Sequence, residues 1–406
     1  MAKKLSAYRI YLIYAGVTAF LFDFVFTVNQ LYRIEVAGLD AMQLVLVGTA
    51  LELSCFLFEV PTGLLADIKS RKLSVIIGLI LIGLGFLAES LVTDFWAILL
   101  CQIIWGFGYT FTSGADEAWI ADELGGKNLE QLFLKGAQIG QIGALLAIIA
   151  STIMGTIMIS LPMAIGGISF ILLGLFLIAF MPETAFHKTP LEDRNSFQQM
   201  FHTLDVGFQY IRKSPFLIVM LMICLFYGLY SEGLDRLWIA HMLDNRTLPS
   251  IDMKPVIWVG VIKGLSMIIS ICAVEYIKRV LRKTGKLQKA WLLILINFMM
   301  VATIIAFGLA RNFVMAFSAY MSFYIIRTIN DPIYRAWLNE NIDSKARATV
   351  LSAYTQIDSF GQILSGPLIG FIAYKTNTAM SIIASGLILS PVVALYFYLL
   401  RIGLHT

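Results

Sequence analysis

Twelve times along this chain, about 20 mainly apolar residues run almost unbroken, the length a helix needs to cross a bilayer. The stretches fall at 8–31, 42–66, 73–92, 95–117, 136–159, 162–181, 216–240, 255–276, 289–309, 312–334, 349–372 and 378–400. In hydrocarbon each backbone N–H and C=O must be satisfied within the protein, so such stretches are expected to be helices. The 406 residues are 59% hydrophobic and 14% charged, against about 25% charged in soluble domains. The mean hydropathy is +0.81. So few polar residues cannot cover a soluble surface. A soluble enzyme, a nucleic-acid-binding protein and a disordered chain are excluded. The formal net charge of +4 is too small to suggest a nucleic-acid partner.

Orientation follows from the loops. With both termini on the cytoplasmic side, 22 of the 30 Lys and Arg residues fall inside, 5 outside and 3 within spans. That asymmetry predicts termini-inside. The first stretch reads as a span, not a cleavable signal peptide. It is too long, and no small-residue cleavage site precedes Asn29, Gln30 and Arg33.

The longest break, 182–215, is bounded by Pro182 and Pro215. Within it Phe197, Met200, Phe201, Leu204, Phe208 and Ile211 recur at helical spacing, which predicts an amphipathic helix on the inner membrane surface. The break divides the chain into an N-terminal bundle (1–181), a linker (182–215) and a C-terminal bundle (216–406). The two sets of six spans look related. Ala118-Trp119 ends span 4 and Ala336-Trp337 ends span 10; Gly140-Gln141-Ile142 lies in span 5 and Gly361-Gln362-Ile363 in span 11. A duplicated six-helix bundle is the layout of secondary transporters.

After span 2 the chain reads Gly63-Leu64-Leu65-Ala66-Asp67-Ile68-Lys69-Ser70-Arg71-Lys72. This resembles the G-x-L-A-D-x-x-G-R-K signature of the major facilitator superfamily, with Ser70 at the second glycine. The resemblance implies an all-α integral membrane fold of twelve transmembrane helices in two pseudo-symmetric six-helix bundles. It also implies an inner gate of Gly63, Asp67, Arg71 and Lys72. Gly63 would let a neighbouring helix approach. Asp67, an acid at a helix C-terminus, needs a partner: Arg71, or the N-terminus of another helix. Pro182-Glu183-Thr184 is similar to the P-E-T of drug-proton antiporters. Where those antiporters carry an arginine in span 4, this chain has Gln102. Their span 5 G-P pair is absent, and Gly366-Pro367 stands in span 11 instead.

Ionisable groups at bilayer depth are costly and face a cavity or a partner. Asp23, Glu52, Glu59, Glu232, Asp235 and Asp358 are the acids singled out within spans, and Arg236, Lys263 and Arg327 the bases. In the family, spans 1, 4, 7 and 10 line a central cavity. Asp23, Asp358 and Glu52 are therefore the candidates for proton coupling, with static ion pairs as the other reading. Glu232, Asp235 and Arg236 read as solvated charges at the outer mouth. Phe22, Phe26, Trp105, Tyr109, Tyr227, Tyr230 and Tyr324, with Arg327, are the expected cavity wall. Asp116, Glu117, Asp122 and Glu123 either pair with Arg71 and Lys72 or form a solvated acidic loop.

The expected function is alternating-access, proton-coupled efflux of lipophilic drug-like small molecules. The alternatives are an importer or facilitator of a small organic solute, or a lipid or glycolipid flippase. The four histidines and four cysteines show no metal, disulfide or nucleophile spacing, so neither an enzyme nor a cofactor or metal is expected. The chain is expected to work as a monomer in a plasma membrane, that of a bacterial inner membrane, with small-molecule substrate, protons and membrane lipid as its partners.

Overall fold

The computed structural model describes residues 6–186, 211–243, 253–281, 286–342 and 347–403. Among these the regular structure is helical: α1 (Ala7–Phe26), α2 (Asn29–Glu35), α3 (Ala41–Ile68), α4 (Arg71–Glu89), α5 (Phe95–Thr112), α6 (Ala115–Glu123), α7 (Leu129–Gly155) and α8 (Leu161–Phe180), then α9 (Pro215–Leu243), α10 (Pro255–Leu281), α11 (Lys286–Gly308), α12 (Phe313–Glu340), α13 (Arg347–Lys375), α14 (Thr378–Leu389) and α15 (Pro391–Gly403). Three spans are interrupted helices: α1–α2, α5–α6 and α14–α15. Counted so, the helices make twelve crossings, as the hydropathy predicts. The expected linker helix lies outside the described residues, apart from its last residue, Ile211.

Each boundary has a local cause. Ser6, Ser70, Asp94, Asn312 and Asn377 cap their helices by accepting from backbone N–H groups of the first turn, which satisfies donors with no intrahelical partner. Span 4 breaks at Gly114, whose φ of 71° lies where a Cβ would be strained. Span 12 breaks after Ser390, before Pro391, which has no N–H to continue the ladder.

Among the described residues, ten spans are long and apolar enough to cross a membrane. The other two, α12 and α13, are as long, at 28 and 29 residues. They fall short because they carry polar and charged residues, among them Arg327, Asp331, Arg335 and Asp358.

The chain forms two compact units. Unit 1 comprises Met1–Asp40, Ala50–Glu192 and Met253–Gly264; unit 2 comprises Ala41–Thr49, Asp193–Asp252 and Leu265–Thr406. In unit 1, span 1 packs on span 5, and span 3 on spans 4 and 6. In unit 2, span 7 packs on span 11, and span 9 on spans 10 and 12. The same order of neighbours recurs six spans later. The paired Gly-Gln-Ile motifs sit at matching crossings. A Cβ on Gly140 would meet Ala19 Cβ of span 1 at 3.3 Å, and one on Gly361 would meet the Leu225 carbonyl of span 7 at 2.6 Å. This repetition is the duplicated six-helix bundle inferred from the motifs.

Candidate functional site

The polar cavity of unit 2 has a volume of about 210 Å³ and is lined from spans 7, 10 and 11. It exists because spans 7 and 11 cross nearly backbone to backbone. A Cβ on Gly228 would lie 2.1 Å from the Asp358 carbonyl oxygen, so glycine is needed for the crossing. That contact sets Asp358 on the wall with Tyr227, Tyr230, Arg327 and Gln362. Pro332 and Pro367 lie inside the two polar helices. Each removes one backbone donor, which loosens the ladder beside the cavity.

Three charged arrangements occupy the wall. Arg327 grips Asp235 with two prongs, Nη1 to Oδ1 at 2.5 Å and Nη2 to Oδ2 at 2.8 Å. It also lies over the rings of Tyr230 and Phe323 at 5.8 and 5.9 Å, a geometry that favours a cation. Arg335 Nε donates to both oxygens of Asp331 at 2.9 Å and lies 5.5 Å from the centre of the Tyr354 ring. Asp358 accepts from Gln362 Nε2 at 2.8 Å and has no ion pair within 4 Å among the described residues. Of the carboxylates in these three arrangements, it alone is held by a neutral group.

Behind the wall lies a buried polar chain. Tyr396 and Tyr227 hydroxyls are 3.0 Å apart, Tyr227 donates to Asn297 Oδ1 at 2.9 Å, and Asn297 Nδ2 donates to Asn330 Oδ1 at 3.0 Å. Tyr227 and Asn330 reach the cavity; Asn297 and Tyr396 are fully buried.

Unit 1 holds a second, aromatic cluster. Phe22 and Phe26 stack at 5.5 Å, Phe22 meets Phe170 at 4.9 Å, and Trp105 lies 5.2 Å from Phe86 and 5.8 Å from Phe26. Tyr109 edges onto Phe22 and Trp105 and is 44% exposed. Trp105 is fixed from behind: its Nε1 donates to Gln102 Oε1 at 2.8 Å, Gln102 Nε2 donates to Glu89 Oε2 at 2.7 Å, and Arg33 Nε donates to Glu89 Oε1 at 2.7 Å. Gln102 therefore serves as a link between an acid and an indole. Asp23 lies within the electrostatic reach of Lys263, whose Nζ donates to the Phe26 carbonyl where span 1 is interrupted.

The signature loop forms a third cluster. Arg71 Nη2 donates to Asp67 at 3.3 Å, and Nη1 binds Asp122 and the Ala118 carbonyl. Asp67 thus takes Arg71 as its partner. A Cβ on Gly63 would meet nothing within 4 Å, so in this conformation Gly63 does not serve the close helix approach expected of it. Glu183 of the P-E-T motif caps α4, accepting from Ser70 Oγ at 2.6 Å and from Lys72 N–H at 2.9 Å. Glu123 accepts from the backbone of Thr184 and Ala185 and from Thr184 Oγ1. Asp122 and Glu123 are thus tied into this network, while Glu117 is exposed and Asp116 accepts from the Glu117 N–H.

Of the expected cavity wall, Tyr227, Tyr230 and Arg327 line the unit 2 cavity with Asp358. Tyr324 packs on Tyr320 at 6.3 Å outside it. Phe22, Phe26, Trp105 and Tyr109 form the unit 1 cluster, and Glu52 is half-buried in that unit. One expectation needs correction. Glu232 is 2% exposed and ion-paired with Arg236, so it belongs to a buried structural pair and is not a solvated mouth charge, whereas Asp235 holds Arg327 and keeps a 41% exposed side chain. A solitary acid this deep would carry a large desolvation cost, which pairing offsets. Sequence reasoning also missed Glu89, an acid inside the 73–92 stretch, and read Arg33 as a loop charge. Asn297, Asn330, Asp331, Arg335 and Tyr354 were missed as well. For all but Asn297, which lies in span 9, the signal was available: the polarity of spans 10 and 11 against their neighbours.

A helical membrane protein of twelve spans, built twice over from one six-helix plan, with a charged cavity inside a helical unit, belongs to the class of polytopic solute carriers. Comparison with known proteins narrows the class. A family model described as Major Facilitator Superfamily matches residues 11–366, and the chain belongs to that superfamily of membrane transporters. It is 23% identical over 359 residues to an uncharacterized MFS-type transporter, YxaM, of Bacillus subtilis (strain 168), covering 87% of this chain and 86% of that one. Its fold is similar to a mutant form of the nucleoside transporter NupG (TM-score 0.78, 16% identity, covering 98% of this chain and 99% of that chain). It is also similar to a bacterial homologue of the human lysosomal transporter Spinster, in an inward-facing, unoccupied conformation (TM-score 0.75, 15% identity, 97% of each chain).

Proposed function

We propose that this chain is an alternating-access secondary transporter that binds a small polar organic solute in the unit 2 cavity and couples its movement to protons. The observation that carries the reading is the polarity of that cavity. Arg327, Arg335, Asp331, Asp358, Gln362 and Asn330 converge where the surrounding spans are apolar. Polar groups at bilayer depth are retained for a solute or ion path. The superfamily and the nucleoside transporter of similar fold support a small-molecule solute.

Asp358 is the first candidate for the coupling acid and Asp23 the second. A carboxylate held by a neutral amide gains or loses a proton without breaking an ion pair, whereas Asp235 and Asp331 would each strand an arginine. Glu52 is the third. The proposed domain division remains 1–181, 182–215 and 216–406, in a bacterial plasma membrane with both termini cytoplasmic.

A second reading, proton-coupled efflux of lipophilic drug-like molecules, rests on the unit 1 aromatic cluster and the exposed Tyr109 ring, which suit a flat apolar solute. The two readings separate in one experiment. The full-length protein in proteoliposomes is given an imposed pH gradient and a panel of labelled nucleosides, dipeptides and hydrophobic cationic dyes. Uphill movement of a polar solute that collapses when the gradient is dissipated, and in Asp358→Asn, supports the first reading. Dye transport alone supports the second. Wild-type movement that ignores the gradient and the membrane potential overturns proton coupling.

A further inference from the structure

We infer that Asn330 is a specificity-determining residue that reads a carbonyl oxygen on the solute, its amide held in one orientation by buried Asn297, which the Leu293 carbonyl fixes in turn. The inference rests on the unit 2 cavity being the solute site, and it names the chemistry that the site selects.

The argument starts from an atom that can only accept. Asn297 Nδ2 donates to the Leu293 carbonyl at 2.8 Å. A carbonyl has no proton to give, so the Asn297 amide cannot be reversed. Its second N–H then points at Asn330, and the atom there, 3.0 Å away, must be the acceptor Oδ1. Asn297 Oδ1 in turn takes the Tyr227 proton at 2.9 Å, nearer than Asn330 Oδ1 at 3.4 Å, so the Tyr227 oxygen is left to accept from Tyr396 at 3.0 Å. Every proton in the chain is thereby assigned. Asn330 is 5% exposed and lines the cavity, and what it has left for the cavity is Nδ2, with two N–H donors.

The remaining groups on the wall lean the other way. Arg327 is committed to Asp235 through both Nη atoms, and Arg335 gives its Nε–H to Asp331 and keeps its charged Nη donors. Ser231 gives its proton to the Gly228 carbonyl, and Thr355 gives its own to the Leu351 carbonyl. Asp358 and the Gln362 carbonyl oxygen offer further acceptors. The Tyr230 and Tyr354 hydroxyls and the second Gln362 N–H can donate as well, but Asn330 presents two parallel amide donors from one fixed atom beside the acceptors. That matches a solute with a carbonyl oxygen flanked by N–H or O–H groups, such as an amide, a ureide or a nucleobase. A site built to satisfy such an oxygen rejects an analogue lacking it by a large factor, because the buried donor is then left unpaired.

The test uses the full-length protein in detergent and two probes of the same size, uridine and its carbonyl-free counterpart β-D-ribofuranosylbenzene. Equilibrium binding of each is measured on wild type, Asn330→Asp and Tyr396→Phe. Wild type should prefer uridine by tenfold or more. Asn330→Asp, which offers a carboxylate in place of the amide donors, should weaken uridine by about tenfold and the phenyl riboside by less than about twofold. Tyr396→Phe keeps the packing and removes only the hydrogen bond to the Tyr227 oxygen, leaving the amide that Leu293 fixes in place. It should leave both probes within about twofold of wild type. A purely structural role for Asn330 would weaken both probes equally, and that result overturns the inference. So does a wild type that binds the two probes alike or binds neither. The proton-coupled transport reading survives those outcomes, since it is judged by the pH gradient and Asp358→Asn.

Discussion

Arg33 and Glu89 form a fully enclosed ion pair: Nε meets Oε1 at 2.7 Å, with side-chain exposures of 3% and 0%. The pair joins the end of span 1 to the end of span 3 and, through Gln102, fixes Trp105. Removing one partner leaves an uncompensated buried charge. Arg33→Met alone or Glu89→Leu alone should therefore cost about 3–5 kcal/mol of stability. The double substitution should recover all but about 1 kcal/mol of that, the part owed to the Gln102 hydrogen bond. Thermal unfolding in detergent measures both. Additive losses in the double variant would show that the two charges act independently.

The loop cluster separates stability from gating. Asp67 is 55% exposed on its side chain and only one of the partners of Arg71, so Asp67→Asn should shift stability by less than about 1 kcal/mol. Glu183→Ala removes the acceptor of two donors at the start of α4 and should cost about 0.5–2 kcal/mol. Transport should rank them the other way. If the Asp67–Arg71 contact belongs to one access state, its loss shifts the access equilibrium, and transport falls while solute binding survives. Wild-type transport in Asp67→Asn would leave Lys69, Arg71 and Lys72 as determinants of topology alone.

Two glycines make opposite predictions under one substitution. Gly228→Ala places a Cβ 2.1 Å from the Asp358 carbonyl. Spans 7 and 11 must part, at a cost of about 1–3 kcal/mol or more, and solute binding should drop with the displaced wall. Gly63→Ala meets open space and gains helix propensity, so it should be neutral or stabilising by up to about 1 kcal/mol. Melting curves for the two variants, run beside a binding assay, test both signs.

Orientation is checked with single cysteines in a background lacking the four native ones. Lys127→Cys should react with an impermeant thiol reagent only from the cytoplasmic side, and Lys375→Cys only from outside. Both positions are exposed. The reverse pattern would place the Asp67 cluster on the outer face and invert the proposed gate.

The spans, their number and the duplication were legible because each depends on local or repeated information. Hydropathy reports a segment's own solvent, and a six-span plan used twice leaves matching motifs such as Gly140-Gln141-Ile142 and Gly361-Gln362-Ile363. Asp358, Arg327, Tyr227 and Tyr230 were legible for a related reason: a polar or hydroxyl-bearing group at bilayer depth stands out against its own helix. The partners were not legible. Arg33 finds Glu89 across 56 residues and Asp235 finds Arg327 across 92; nothing in the sequence near either acid names its base. Glu89 closes an apolar stretch and so reads as a span end, and Asp235 reads as a charge at a mouth. Only the packing of one helix on another decides whether a charge at such a depth faces water or a partner. The same holds for the Asn297 and Asn330 amides. Their composition offers donors and acceptors equally, and only the fixed Leu293 carbonyl, brought against them by the fold, determines which atom is turned to the cavity.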